Sequence, residues 1–248
     1  MKNLKLNNMS KKRDKVGIVF CGPSGAGKST LVHAVMQKFP ELSFSVSATT
    51  RTKRENEVHG KDYYFLTKEE FMFKVDNEEF VEHEEVYPGI FYGTTEEELV
   101  RINAEGKVAI FDVDVKGAFN LKKVFKEKLL LVFVAPPSIE GLRERISKRN
   151  TETQEALDTR MAKVEEEMAF MYKADKIIFN EKLTDSMVKA ERIVEGFLNP
   201  FVPVPTPLPD NLELTVTKKE EKKEESYYER LMKLPNLKPQ YQRQRKIT

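Results

Sequence analysis

The segment VGIVFCGPSGAGKSTLVHAVMQKF, residues 16–39, runs from a short β-rich apolar stretch into a glycine turn, then into residues with Leu31, Val35 and Phe39 at helical spacing. Its middle fits G-x-x-x-x-G-K-[ST] at Gly22, Gly27, Lys28 and Ser29. Few patterns constrain a fold so tightly, because the chemistry requires a strand before the loop and a helix after it. Across Gly22, Pro23, Ser24, Gly25, Ala26 and Gly27 the backbone can turn its N–H groups onto phosphate oxygens. The helix N-terminus at Lys28, Ser29 and Thr30 adds a favourable dipole. Lys28 then reaches the terminal phosphates, and Ser29 is placed to ligate Mg²⁺. An ordinary glycine turn with a helix-capping serine is the bland alternative, and the strand-loop-helix context argues against it.

The same rhythm repeats downstream. KVAIFDVD precedes VKGAFNLKKVFKE, LLLVFVA precedes SIEGLRERISKR, and DKIIFN precedes LTDSMVKAERIVEGFL. Continuous apolar strands alternating with helices imply a parallel sheet covered on both faces, so the expected class is α/β. Ligands of such sheets gather beyond the carboxyl ends of the strands. Asp112 and Asp114, ending the strand VAIFDVD, are therefore placed to hold Mg²⁺ through water or to touch a substrate. Spacing does not say which does which. Between about residues 45 and 95 the rhythm breaks: FSVSATT, DYYFL and EFVEHEEV crowd together with only TKEEFMFKV as a helix, which predicts a small mixed α+β subdomain inserted into the core. The aromatic stretch EEFMFKV reads as the buried face of that helix.

Composition bounds the remaining possibilities. The longest apolar run, LLLVFVA, is far short of the ~20 residues that span a bilayer. One cysteine, Cys21, allows no internal disulfide, which fits a reducing cytoplasm. The basic start of the chain lacks the apolar stretch of a secretory signal and reads as a flexible tail. Residues 1–15 carry six Lys/Arg against one Asp, and residues 200–248 carry ten against seven acids. The stretch between them is mildly acidic, poor support for a nucleic-acid surface. After Asn199, PFVPVPTPLPD has proline at alternate positions and should run extended. TKKEEKKEESYYERLMKL beyond it reads as a solvated helix or a disordered segment. The expected organisation is a tail (1–15), a domain (16–199) and a Pro-rich linker with a charged extension (200–248). His33, His59 and His83 lack metal-ligand spacing.

Taken together, GPSGAGKST, FSVSATTRTKRENEVHGKDYYF, FVEHEEV with FYGT, FDVDVKG, APPS, KRNTET and IIFN resemble segments of the guanylate kinase family, in the family's order, over roughly residues 16–198. The resemblance implies a P-loop parallel core with a GMP-binding insertion and a lid near residues 145–160, acting on ATP and GMP with Mg²⁺. It implies that Ser47, Arg51, Arg54 and Tyr63 grip the GMP phosphate while Glu57 orders the loop. Arginine's planar fork suits a phosphate dianion, and a tyrosine hydroxyl adds a donor. Glu82 falls on the position that accepts from guanine N1–H and the exocyclic amine, and Tyr92, Thr94 and Asp114 match the remaining GMP-side positions. Arg145, Arg149 and Arg160 match lid arginines that close on the transferring phosphoryl group, and Asn180 a residue near the adenine of ATP. Lys53 and Asn56 stand where the family usually has proline and often glycine, and EEVYPGIFYG is one residue longer than the common form.

The expected activity is phosphoryl transfer from ATP to GMP in purine nucleotide metabolism, in the cytoplasm, with no membrane or nucleic-acid partner. Two other readings compete. One is a non-catalytic guanylate-kinase-like module that binds proteins, which need not retain Gly27, Lys28, Ser29 and both arginine sets. The other is a monophosphate kinase for another base, against which Glu82 argues.

Overall fold

The computed structural model describes residues 15–147 and 154–200, with the backbone alone considered for 144–147 and 154–160. In chain order the strands are β1 (Gly17–Cys21), β2 (Leu42–Phe44), β3 (Ala48–Thr49), β4 (Tyr64–Phe65), β5 (Phe80–Tyr87), β6 (Ile90–Thr95), β7 (Val108–Asp112), β8 (Leu129–Ala135) and β9 (Lys176–Phe179). The helices are α1 (Lys28–Lys38), α2 (Lys68–Asp76), α3 (Glu96–Ala104), α4 (Val115–Phe125), α5 (Ile139–Ser147), α6 (Gln154–Met168) and α7 (Leu183–Leu198). One compact unit runs through Leu198.

Five strands pair in parallel in the order β2-β7-β1-β8-β9. The class is α/β, as the alternation of strands and helices predicts. Every residue of β1 and β8 is buried, which is why their sequences read as unbroken apolar runs. Side chains alternate across a sheet, so one face carries Ile18, Phe20, Ile110, Val132, Val134 and Ile178, packed with Leu31, Val32 and Val35 of α1 and Ala190 and Val194 of α7. On the other face α4 packs against β1 and β8, where Val19, Leu131 and Phe133 are buried. Each fully buried Ile, Leu or Phe stabilises the fold by about 1.5–3 kcal/mol relative to exposure. β1 sits at the centre of this sheet, so the glycine loop that follows it opens between the ends of β7 and β8. Cys21, the last residue of β1, is fully buried, and burial pushes its thiol well above the usual range.

The second sheet has the order β4-β3-β6-β5 and mixed pairing, with β5 and β6 antiparallel. Its own small core joins Ala48, Phe71 and Phe80, the two rings stacked 4.5 Å apart. Thr67 caps α2 in a reciprocal box with Glu70, so the helix starts where its sequence signals.

Three local expectations change. FSVSATT is not one strand: Phe44 ends a strand of the parallel core, while Ala48 and Thr49 begin the mixed sheet. IFYGTT is itself a strand, paired to β5 through a turn in which Gly89 takes φ 77°. In EEFMFKV only Phe71 is buried, whereas Phe73 is 66% exposed, because residues two apart on a helix point to opposite sides. The expected N-terminal tail and C-terminal extension lie outside the described residues, apart from Lys15 and Pro200. Among the described residues no helix is long and apolar enough to cross a membrane.

Candidate active site

A cleft of about 280 Å³ opens between the glycine loop and the mixed sheet. Gly22, Ser24, Gly25, Gly27, Lys28, Ser29 and Thr30 line one side, and Ser47, Tyr63, Glu82 and Tyr92 line the other, with Asp112 and Asp114 on the floor between them. The loop is braced from within. Gly27 caps α1 at φ 97°, and a Cβ there would lie 2.3 Å from Asn180 Nδ2. That amide, from the residue following β9, donates to Ala26 O at 2.7 Å and is 5% exposed. Lys28 Nζ donates to Gly22 O at 2.7 Å and Pro23 O at 3.1 Å, so the ammonium is held over the loop.

The two aspartates left open by sequence separate in space. Ser29 Oγ donates to Asp112 Oδ2 at 2.5 Å, placing Asp112 beside the loop. Asp114 caps α4, its Oδ1 accepting from Gly117 N at 2.7 Å, and its Oδ2 is buried without a hydrogen-bond partner among the described residues. A Cβ at Gly117 would approach Glu82 Oε2 to 3.0 Å and Asp114 Oδ1 to 3.2 Å. Glycine at this point of α4 is what lets the helix come so close to both acids.

Glu82, on β5, is 8% exposed, and its Oε1 accepts from Thr94 Oγ1 on the paired strand at 2.8 Å. Burial pushes this carboxyl up to about 7, the Thr94 bond opposing and the neighbouring Asp114 and Glu84 adding to the rise. Tyr63 packs edge-on to Tyr92 with ring centres 5.9 Å apart, and burial pushes its hydroxyl up to about 12.

Behind Tyr63 the loop orders itself around one carboxylate. Glu57 Oε1 accepts from Arg51 Nη2 at 2.7 Å, and Oε2 accepts from Arg54 N at 2.8 Å. Burial raises the Glu57 carboxyl, but the Arg51 guanidinium and the Arg54 amide outweigh it and hold the group below its usual range. The Arg51 guanidinium lies 5.4 Å from the Tyr63 ring centre and 5.7 Å from that of Phe65. Arg54 is instead largely exposed, its Nη1 3.9 Å from Glu57. Lys53 donates to Glu57 O at 2.7 Å and so fastens the same turn.

The structure thus gathers the cradle, both aspartates, Ser47, Tyr63, Glu82 and Tyr92 around one space, with Thr94 bonded to Glu82 and Arg51 and Glu57 packed behind Tyr63. Arg149 lies outside the described residues, and of Arg145 and Arg160 only the backbone, in α5 and α6, is described. Sequence reading missed Lys163 and Glu167 of α6, which also line the cleft. Glu167 is pushed up to about 7 by burial, against the pull of Lys163 and Lys28. Their only signal was an i,i+4 pair in a charged helix, the usual mark of a solvated face.

The family model for guanylate kinase matches residues 14–196. A guanylate kinase of Bacteroides fragilis is 42% identical over 181 residues, covering 73% of this chain and 89% of that protein. One from Chlorobium chlorochromatii is 45% identical over 181 residues, covering 73% and 95%. The crystal structure of guanylate kinase from Anaplasma phagocytophilum superposes with a TM-score of 0.60 at 30% identity, covering 73% of this chain and 85% of that one.

Proposed function

Because the chain belongs to the guanylate kinase family, we propose that it transfers the γ-phosphoryl group of ATP to GMP with Mg²⁺, giving ADP and GDP in purine nucleotide metabolism in the cytoplasm. The observation that carries this reading is that the G-x-x-x-x-G-K-S loop and the buried carboxylate of Glu82 line one cleft.

In this reading the loop from Gly22 to Thr30 and Lys28 hold the ATP phosphates, with Asn180 bracing Ala26 on the ATP side. Ser29 and Asp112 would hold Mg²⁺: their hydroxyl and carboxylate oxygens meet at 2.5 Å, a hard oxygen pair that suits the ion. Held there, Mg²⁺ would supply positive charge against the phosphates. Ser47, Arg51, Arg54 and Tyr63 orient the GMP phosphate, with Glu57 fixing Arg51. Glu82, Thr94, Tyr92 and Asp114 form the base side.

A GMP phosphate oxygen attacks the γ-phosphorus in line, and the bond from that phosphorus to the bridging oxygen of ADP breaks. A phosphate monoester has its second pKa near ~6, so the nucleophile is already a dianion at neutral pH and no general base is required. The residues therefore act by alignment and by opposing charge. Arg145, Arg149 and Arg160 complete the positive cage from the lid, and closure excludes water that would otherwise hydrolyse ATP. The catalytic domain spans residues 16–199, with residues 1–15 as a tail and 200–248 as a linker and extension.

ADP formation measured with GMP, AMP, dTMP or UMP as the only acceptor, beside Lys28→Ala, tests the reading. Turnover with GMP alone that is lost in Lys28→Ala is expected. Preference for another acceptor would overturn the base assignment, and no turnover with any acceptor would point to a binding module.

A further inference from the structure

Lys163 occupies a junction that the assignment above does not use. Its Nζ lies 3.7 Å from Asp114 Oδ2 and 3.7 Å from Glu167 Oε1. It also donates to Val86 O at 3.3 Å and sits 4.9 Å from the centre of the Tyr87 ring. The side chain is 17% exposed, so these contacts are made largely out of solvent. Val86 and Tyr87 end β5 of the mixed sheet, Asp114 caps α4 of the parallel core, and Glu167 lies one turn along α6 from Lys163. One ammonium thus reaches both walls of the cleft.

Charge balance alone explains part of this arrangement. Asp114 and Glu167 are partly or wholly removed from water, and a buried acid without a counter-charge is costly. Balance does not explain the carbonyl of Val86 or the ring of Tyr87, which carry no formal charge. Those two contacts belong to the β5–β6 hairpin, whose inner residues include Glu82 and Tyr92. Lys163 itself is on α6, where Arg160 lies three residues earlier. At 3.3–3.7 Å the contacts are loose enough to tighten as the walls approach.

We propose that Lys163 is a positioning residue that couples the two nucleotide sites, drawing the β5–β6 hairpin onto α6 while holding Asp114 against the base side. This rests on the kinase reading above. Occupancy beside Lys28, in the cleft that α6 also lines through Glu167, then holds α6 in place and stiffens the wall that receives GMP, and GMP by linkage favours ATP to the same extent.

The test is calorimetric binding of GMP to the full chain, with and without a non-hydrolysable ATP analogue and Mg²⁺, in wild type, Lys163→Met and Lys163→Arg. Coupling of about fivefold or more is expected in wild type, falling below about twofold in Lys163→Met and recovering to at least about threefold in Lys163→Arg. Steady-state KM for GMP should rise about tenfold in Lys163→Met. If the methionine variant does not fold, as judged by its melting curve, Lys163→Gln carries the same measurement. A wild type without coupling, or a neutral variant that loses stability while keeping wild-type coupling, would overturn the proposal and leave Lys163 a charge balancer. Failure of wild type to phosphorylate GMP would overturn the kinase reading itself, a result separate from either.

Discussion

Replacing Glu82 with glutamine keeps shape and burial while changing what the cleft offers a base. The carboxylate has two oxygens, and Thr94 Oγ1 occupies one lone pair of Oε1, leaving acceptor capacity on both atoms. Guanine presents N1–H and an amine on one edge, so under the proposed assignment Glu82 accepts two charge-assisted bonds worth about 1.5–3 kcal/mol each. The amide keeps one acceptor and turns an NH₂ toward a guanine donor. The loss is at least one such bond plus the desolvation of a mispaired donor, roughly 3–4 kcal/mol, or two to three powers of ten in kcat/KM. Adenine carries an acceptor at N1 and is not penalised by that NH₂, so turnover of AMP should stay level or rise. The assay is coupled ADP release with GMP and with AMP across a range of acceptor concentrations. Glu82 is held near about 7, so wild-type GMP binding at neutral pH should also release part of a proton, read as a buffer-dependent calorimetric heat, and Glu82→Gln should release less. A variant that keeps kcat/KM for GMP within threefold of wild type would refute the assignment.

Gly27→Ala must place a Cβ at φ 97° and 2.3 Å from Asn180 Nδ2, so it should lose ATP binding by at least tenfold and melt several degrees lower, as followed by fluorescence titration and a thermal scan. Glu57→Gln weakens the fixing of Arg51 and should raise KM for GMP about tenfold with little change in KM for ATP, which steady-state kinetics will separate. Glu82 and Glu167 both titrate near about 7 when folded, against 4.5 as the ordinary value, so the unfolded chain gives up these protons first as pH rises. Stability from these two groups is therefore full below about 4.5 and lost as pH rises to about 7, by up to roughly 3 kcal/mol each. Denaturant melts of wild type and the Glu82→Gln, Glu167→Gln double variant should show the variant gaining on wild type over that window, and a difference independent of pH would refute the argument.

The glycine loop was legible because its constraints are local. A strand, glycines at left-handed positions and a lysine-serine pair sit within thirteen residues, so no distant contact is needed to read them. The parallel core was legible for a related reason: β1 and β8 are buried on both faces, and such strands cannot hide as loops. The mixed sheet was harder, since β3 and β4 hold two residues each and have no period of their own. Glu82 was placed by family likeness, and its physical distinction, burial beside Asp114 and Gly117, comes from helix α4, more than thirty residues away. Lys163 and Glu167 were invisible for the opposite reason. Their spacing is that of a solvated ion pair, and only the tertiary packing around α6, with Val86 and Tyr87 of β5 against Lys163, removes them from water.

Cys21 gives this chain a reporter of its own opening. The thiol is the sole one in 248 residues, it ends the central strand under the glycine loop, and both burial and its raised pKa suppress the thiolate that alkylating reagents require. Reagent can reach it only when the packing that buries it opens. The labelling rate relative to that of a free thiol then measures the free energy of that opening, and any slowing by added nucleotide measures how far the ligand closes it. No second cysteine has to be removed first.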